Sequence, residues 1–289
     1  MILRSHLGGL RQPYYFGMDT GSPSQPDGPG DAGRIDPSMK AIIGSLQEHL
    51  RHLEHLVEPE VAAARAVPKR VEPAWHRVTE GENRLAVALA VGLAIALQLV
   101  LPDRLVIHPP WLLPALEGAL LIGLIAANPG RITRTSRTIR SASVAMIALI
   151  SLANAWSSGA LIKGLVNGTE GESASKLLAR GASIYITNIL VFSLWYWEWD
   201  RGGPVARARG TRPYPDFLFP QMSQPDLAPP EWEPMYFDYL YTSFTNATAF
   251  SPTDVMPLSR WAKMLMLVQS AVSLLTVALV VARAVNILK

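Results

Sequence analysis

Between positions 245 and 254 the chain carries Thr245, Asn246, Thr248, Ser251, Thr253 and Asp254. Hydroxyl and amide oxygens that end on a carboxylate are suited to holding small hard cations. Repeated about a symmetry axis, Asp254 would form an acidic ring, a common device for attracting them. Further on, Gln269, Ser273, Thr276 and Arg283 follow one another at spacings of 4, 3 and 7 and make a polar stripe on an otherwise apolar segment. The stripe is either a pore lining or a packing face, since Ser and Thr are common where membrane helices approach closely. For Thr245, Asn246 and Thr248 the alternative is back-bonding within their own helix. Glu117 stands alone among apolar residues in WLLPALEGALLIGLIAA. A charge at membrane depth is costly and marks either a function or a buried pair. Pro114, three residues earlier, can free backbone carbonyls nearby, and Asn154 and Asn188 are candidate partners. Glu117 is thus an ion or proton site, or a neutral acid that bonds helix to helix.

Other chemistries find little purchase. The chain has no cysteine, which removes disulfides, thiol catalysis and Cys-based metal centres. HExxH and GxSxG are absent, and no histidine falls in an apolar stretch. His49, His52 and His55 recur every third residue, whereas helical metal pairs usually use i, i+4 with a carboxylate nearby. They are read as a solvated polar face. No metal, no cofactor and no enzymatic activity are expected. The net charge is +3 without a continuous basic run, so no nucleic-acid partner is expected either.

The elements that must position these residues are membrane spans. Of 289 residues, 49% are hydrophobic and 17% charged, against about 25% charged in ordinary soluble domains. Residues 85–102, 141–162, 181–197 and 264–282 carry no charge, and 111–127 carries only Glu117. A bilayer core of about 30 Å needs roughly 20 apolar helical residues, with about 17 as a minimum. The expected fold is therefore an all-α multipass membrane bundle of five spans in a cell membrane. Lys69, Arg70, Arg77 and Arg84 precede the first span. Arg131, Arg134, Arg137 and Arg140 lie between the second and third, and Arg201, Arg207, Arg209 and Arg212 follow the fourth. All three clusters share a side if the N-terminus is cytoplasmic, which leaves the C-terminus outside. The opening MILRSHLGGLRQPYYF has no apolar run of signal-peptide type, so the first span is expected to serve as an uncleaved insertion signal.

Four regions follow. Residues 1–37, rich in Gly, Pro, Ser and Asp, read as disordered. Residues 38–83 read as a cytoplasmic amphipathic helix and linker: Ile43, Leu46, Leu50, Leu53 and Val57 form an a/d seam, and Pro59 weakens its continuation. That seam is an oligomerisation helix or lies on the membrane domain or the lipid interface. Residues 84–180 hold the first three spans, and 181–289 form a module of span, connector, half-helix, loop and span. Trp195, Tyr196, Trp197 and Trp199 form an interface belt at the end of the fourth span, and a Pro-rich connector covers 201–233. The half-helix is PMYFDYLYTSFTNAT, 234–248, with Glu231, Glu233 and Pro234 favouring its start. At about 1.5 Å per residue it reaches roughly 22 Å, too short to cross comfortably. A re-entrant half-helix followed by an irregular loop explains it better, because such backbone survives at membrane depth only where protein or water lines it.

This segment resembles the pore region of the potassium-channel superfamily, in which a half-helix runs into T-T-V-G-Y-G-D and then a proline and often an arginine. Thr248 stands at the first Thr, Ala249 at the second and Phe250 at Val; Ser251, Pro252 and Thr253 replace Gly, Tyr and Gly; Asp254, Pro257 and Arg260 follow. The filter of that family needs glycine backbone angles, and no glycine follows Gly210, so potassium selectivity is not implied. The expected orientation makes the loop enter from the cytoplasm, as in ionotropic glutamate receptors. Over residues 84–289, the order of spans, the Trp/Tyr-rich end of the fourth, DYLYTSF and the T-D-V turn are similar to an uncharacterised bacterial inner-membrane family of unknown function. The inner-membrane family brings no known substrate and supports the architecture alone; the pore-loop resemblance implies a homo-oligomer, a tetramer, embedded in membrane lipid and passing small cations. The alternative is a non-conducting membrane protein or small-solute transporter that keeps the loop as packing.

Overall fold

A computed structural model describes residues 37–65, 74–132, 136–170, 173–248 and 254–288, and every structural statement below concerns these. The chain divides into two units, 1–69 and 70–289. In the first unit, α1 (Pro37–Arg65) is one helix that continues past Pro59. Strong helix formers, Ala62, Ala63, Ala64 and Arg65, follow the proline and carry the helix on. Ile43, Leu46, Leu50 and Leu53 are exposed along it.

The second unit is built from apolar helices. α2 (Leu85–Val100) and α3 (Leu112–Ala127) form an antiparallel hairpin. Its base is clamped by an Asn83–Arg131 bridge, with Arg84 N–H donating to the Gly130 carbonyl and Ile132 N–H to that of Glu82. α4 (Arg137–Val166) starts on Ser136, whose hydroxyl accepts from Ile139 N–H at 3.2 Å and so satisfies one of the free donors of the first turn. α5 (Ala174–Trp199) buries residues along its whole length, from Leu177 to Trp197. It is the central column, packed against α2, α4 and the two helices Tyr236–Thr248 and Arg260–Ile287. α4, α5 and the last helix are long and apolar enough to cross a membrane. α2 and α3 have 16 residues each, about 24 Å, and fall short by that measure.

After α5 the chain folds into a cap at one end of the bundle. The expected Pro-rich connector is ordered here as α6 (Pro204–Ala208), β1 (Phe217–Leu218) and α7 (Pro220–Ser223). α8 (Tyr236–Thr248) then runs antiparallel to α5, and β2 (Met256–Pro257) pairs with β1. α9 (Arg260–Ile287) is capped by the Ser259 hydroxyl. The course of α8 follows from its bonds. Its first turn meets Ser193 near the end of α5, where the Ser193 and Tyr236 hydroxyls lie 2.8 Å apart. Its last turn meets Met266, Gln269 and Ser270, two to three turns into α9. Met256 and Pro257 are nevertheless back beside β1, and Leu258 N–H donates to the Asp216 carbonyl at 2.8 Å. The chain therefore descends beside α5 and α9 and returns to the end from which it left.

Arg84, Arg131, Arg137, Arg140, Arg201, Arg207, Arg209 and Arg212 all belong to helix ends and loops at this capped end. The opposite end is tied by Glu170, which pairs with Arg104 at 2.6 Å and Arg180 at 3.2 Å. Arg283 donates to the Glu170 carbonyl and brings α9 to the same knot. Leu105, at the tip of the α2–α3 hairpin, is buried in one cluster with Leu161, Leu165, Leu177 and Val280. The hairpin thus reaches the far end of the bundle.

Candidate functional site

Gln269 joins α5, α8 and α9. It is fully buried, yet every side-chain group has a partner. Its Nε2 donates to the Ser243 carbonyl at 2.9 Å and to the Ser243 hydroxyl at 2.7 Å. Its Oε1 accepts from the Tyr196 hydroxyl at 2.6 Å and from Asn246 Nδ2 at 2.8 Å. Ser243 in turn donates to the Ile189 carbonyl of α5. Asn246 also donates to the Met266 carbonyl, and its Oδ1 accepts from Ser270 at 3.1 Å. One glutamine therefore fastens α8 to both neighbours. Burying so many polar groups is tolerable only because each is bonded.

The rest of the stripe on α9 turns the same way. Ser273 is buried and accepts from Asn188 Nδ2 at 2.9 Å. Asn188 Oδ1 lies 3.4 Å from Asn154 Nδ2, which extends the ladder to α4. Thr276 is buried, and its hydroxyl has no partner among the described residues. Gln269, Ser273 and Thr276 thus face the interior of their own chain. Between its charged first turn and Asn286, what α9 exposes is apolar, including Leu267, Val268, Leu274, Leu275 and Val281.

On α8, Thr245 donates to the Tyr241 and Thr242 carbonyls, and Thr248 to that of Thr245. These hydroxyls bond back into their own helix. Asp254 is exposed. Ser251 and Thr253 lie outside the described residues, so the loop connecting Thr248 with Asp254 has no described geometry.

Glu117 is fully buried, and its partner corrects the sequence expectation. Asn154 and Asn188 bond to each other, and Glu117 Oε2 instead accepts from Gln98 Nε2 on α2 at 2.9 Å. Its Oε1 has no partner among the described residues. The pairing follows from the hairpin register: counted from the Asn83–Arg131 bridge, Gln98 lies 15 residues along one arm and Glu117 lies 14 residues back along the other.

The capped end holds the residues that the sequence reading passed over. Of the aromatic cluster expected as an interface belt, Tyr196 and Trp197 are buried and Trp195 is half-buried. Trp197 Nε1 donates to Glu82 Oε2 at 2.6 Å, and Glu82 also accepts from the Tyr236 backbone N–H that opens α8. Burial raises the Glu82 carboxyl above its ordinary range, and these two donors counteract it. Asp200 is buried; its Oδ2 accepts from the Tyr239 hydroxyl at 2.6 Å and its Oδ1 from Asp216 N–H at 2.8 Å. Asp216 Oδ1 accepts from Trp261 Nε1 at 2.9 Å and so ties the start of α9 into the cap. The Arg207 guanidinium lies 5.0 Å from the Tyr239 ring centre, a cation–π contact. Arg201 adopts φ 50°, a left-handed conformation uncommon outside glycine, where α5 breaks into the cap.

No protein-family model, curated protein or solved structure matches this chain. Its functional reading therefore rests on its own geometry.

Proposed function

We propose that this is a multipass cell-membrane protein with five spans that assembles as a homo-oligomer, a tetramer, about a pore loop and passes small cations. One observation carries the reading: α8 ends two to three turns down α9, while the chain on either side of it sits at one end of the bundle. Placed in a bilayer, that is a re-entrant half-helix. Its C-terminal carbonyls form the negative end of a helix dipole at mid-depth, where they favour a cation, with Asp254 close behind in sequence. The reach of the α2–α3 hairpin to the far end supports counting those helices as crossings. The shared end of the arginines supports a cytoplasmic N-terminus and a loop that enters from the cytoplasm.

Selectivity then belongs to residues 248–254, including Ser251 and Thr253. Gln269, Ser273 and Thr276 hold the module together, and the apolar exposed face of α9 flanks the path. Glu117 and Gln98 join two helices. The resemblance to pore-loop channels and to a bacterial inner-membrane family is part of this proposal.

A second reading, a non-conducting membrane protein or small-solute transporter that keeps the half-helix as packing, is favoured by the complete internal bonding of Asn246 and Gln269. Cation flux in liposomes containing the purified full-length chain separates the two. The channel reading expects flux that falls several-fold with Asp254→Asn. No flux across varied voltage, pH and cations would leave the second reading standing.

A further inference from the structure

At the capped end a cavity of about 230 Å³ opens among Arg84 just before α2, the end of α3, the start of α4, α6 and the end of α5. Three arginines, Arg84, Arg140 and Arg209, line it together with Thr211, against a single carboxylate, Glu198. The Glu198 carboxylate accepts from Ser143 through Oε2 at 2.9 Å and is also the charge partner of Arg84 and Arg140. Arg84 Nε is buried and has no hydrogen-bond partner among the described residues. A buried guanidinium N–H without an acceptor is costly, and an anionic oxygen in the cavity would supply one. The opposite wall is apolar, formed by Leu124, Ile132 and Ile139. From it a narrow cleft, walled by Leu121, Met146 and Leu194, continues between the helices below Arg84.

We propose that this cavity binds the phosphate headgroup of an anionic phospholipid, with Arg84 and Arg140 holding the phosphate oxygens and the lipid's glycerol and upper acyl segment lying on Leu124, Ile132 and Ile139. Arg84 and Arg140 carry two guanidinium charges against the one carboxylate of Glu198, and that excess selects an anion. The position of the cavity, where the arginine-rich end meets the apolar helices, is the depth of a headgroup, and basic pockets between helices on the cytoplasmic side are a recurrent way of recognising such lipids. The apolar wall distinguishes a lipid from free phosphate. The inference uses the membrane reading above and is independent of conduction: lipid selectivity and ion flux are separate readouts, and either can fail alone.

Native mass spectrometry of the full-length chain, released from micelles doped with phosphatidylglycerol or with phosphatidylcholine of the same acyl chains, tests this. The expected result is at least tenfold preferential retention of phosphatidylglycerol. Retention should fall about tenfold in Arg84→Gln and in Arg140→Gln and stay unchanged in Lys176→Gln at the opposite end. Arg140 is exposed, so its variant keeps the test intact if Arg84→Gln does not fold. Equal retention of the two lipids, or full retention in both arginine variants, would overturn the proposal. Displacement of phosphatidylglycerol by equimolar inorganic phosphate would overturn it as well, in favour of a soluble anion.

Discussion

Gln269 shows how a polar side chain becomes structural. Four hydrogen bonds converge on it, from Tyr196, from Asn246, and to the carbonyl and hydroxyl of Ser243. Between helices in membranes such bonds are worth about 0.6 kcal/mol each. Gln269→Leu is therefore expected to cost about 2 kcal/mol and to lower the thermal midpoint measured in detergent, with α8 loosening first. Glu170 makes a prediction about pH. The hydrogen bond from Arg104 is the largest influence on its carboxyl and holds it below its usual range; burial opposes this, and the charges of Arg104 and Arg180 add to it. A depressed pKa means stability that is complete above the unfolded carboxylate value and is lost as pH falls through the lowered native value. Thermal scans from pH 7 down to acid should show that loss in the native chain and a flatter acid limb in Glu170→Gln. Because Arg104 is about half exposed, the effect is modest.

At the scale of elements, α5 and α9 approach closely at Gly181, where an added Cβ would lie 2.8 Å and 2.9 Å from the two Val280 methyls. Small residues allow such approach between membrane helices. Gly181→Leu should wedge the pair apart at a cost of about 1–3 kcal/mol, read by thermal unfolding. How much of this was legible in the sequence depends on what each pattern encodes. Runs without charge place the helices well, because apolar length is a property of the chain itself. The polar stripe Gln269–Ser273–Thr276 was visible from its spacing, but its direction was not: a stripe does not say whether it meets a lumen or a neighbouring helix. Glu117 stood out, yet its partner depended on hairpin register, and Gln98 could have been found only by pairing positions at nearly equal separation from the base of the hairpin. Tyr196 and Trp197 read as interface aromatics because an aromatic cluster at a helix end looks alike whether lipid headgroups or a folded cap covers it. The cap itself, built on Glu82, Asp200 and Asp216, joins residues far apart in sequence, and no local signal announced it.

The whole molecule is organised around the return of the chain to one end. Arginines, the cap, the start of α8 and the start of α9 are together there, and Glu170 with its arginines closes the other end. If a bilayer surrounds the helices between them, α8 enters it and does not leave on the far side. The absence of cysteine makes this directly measurable, since single cysteines can be placed in an otherwise silent chain. Met235 and Leu258 flank the excursion and are about half exposed, Tyr214 marks the capped end, and Val166 marks the opposite one. Each position, replaced by cysteine in turn, is labelled with a membrane-impermeant maleimide in sealed vesicles of known orientation. Cysteines at 235, 258 and 214 should react from one side, and cysteine at 166 from the other. Labelling of 235 and 258 from opposite sides would make residues 236–257 an ordinary crossing and contradict the account.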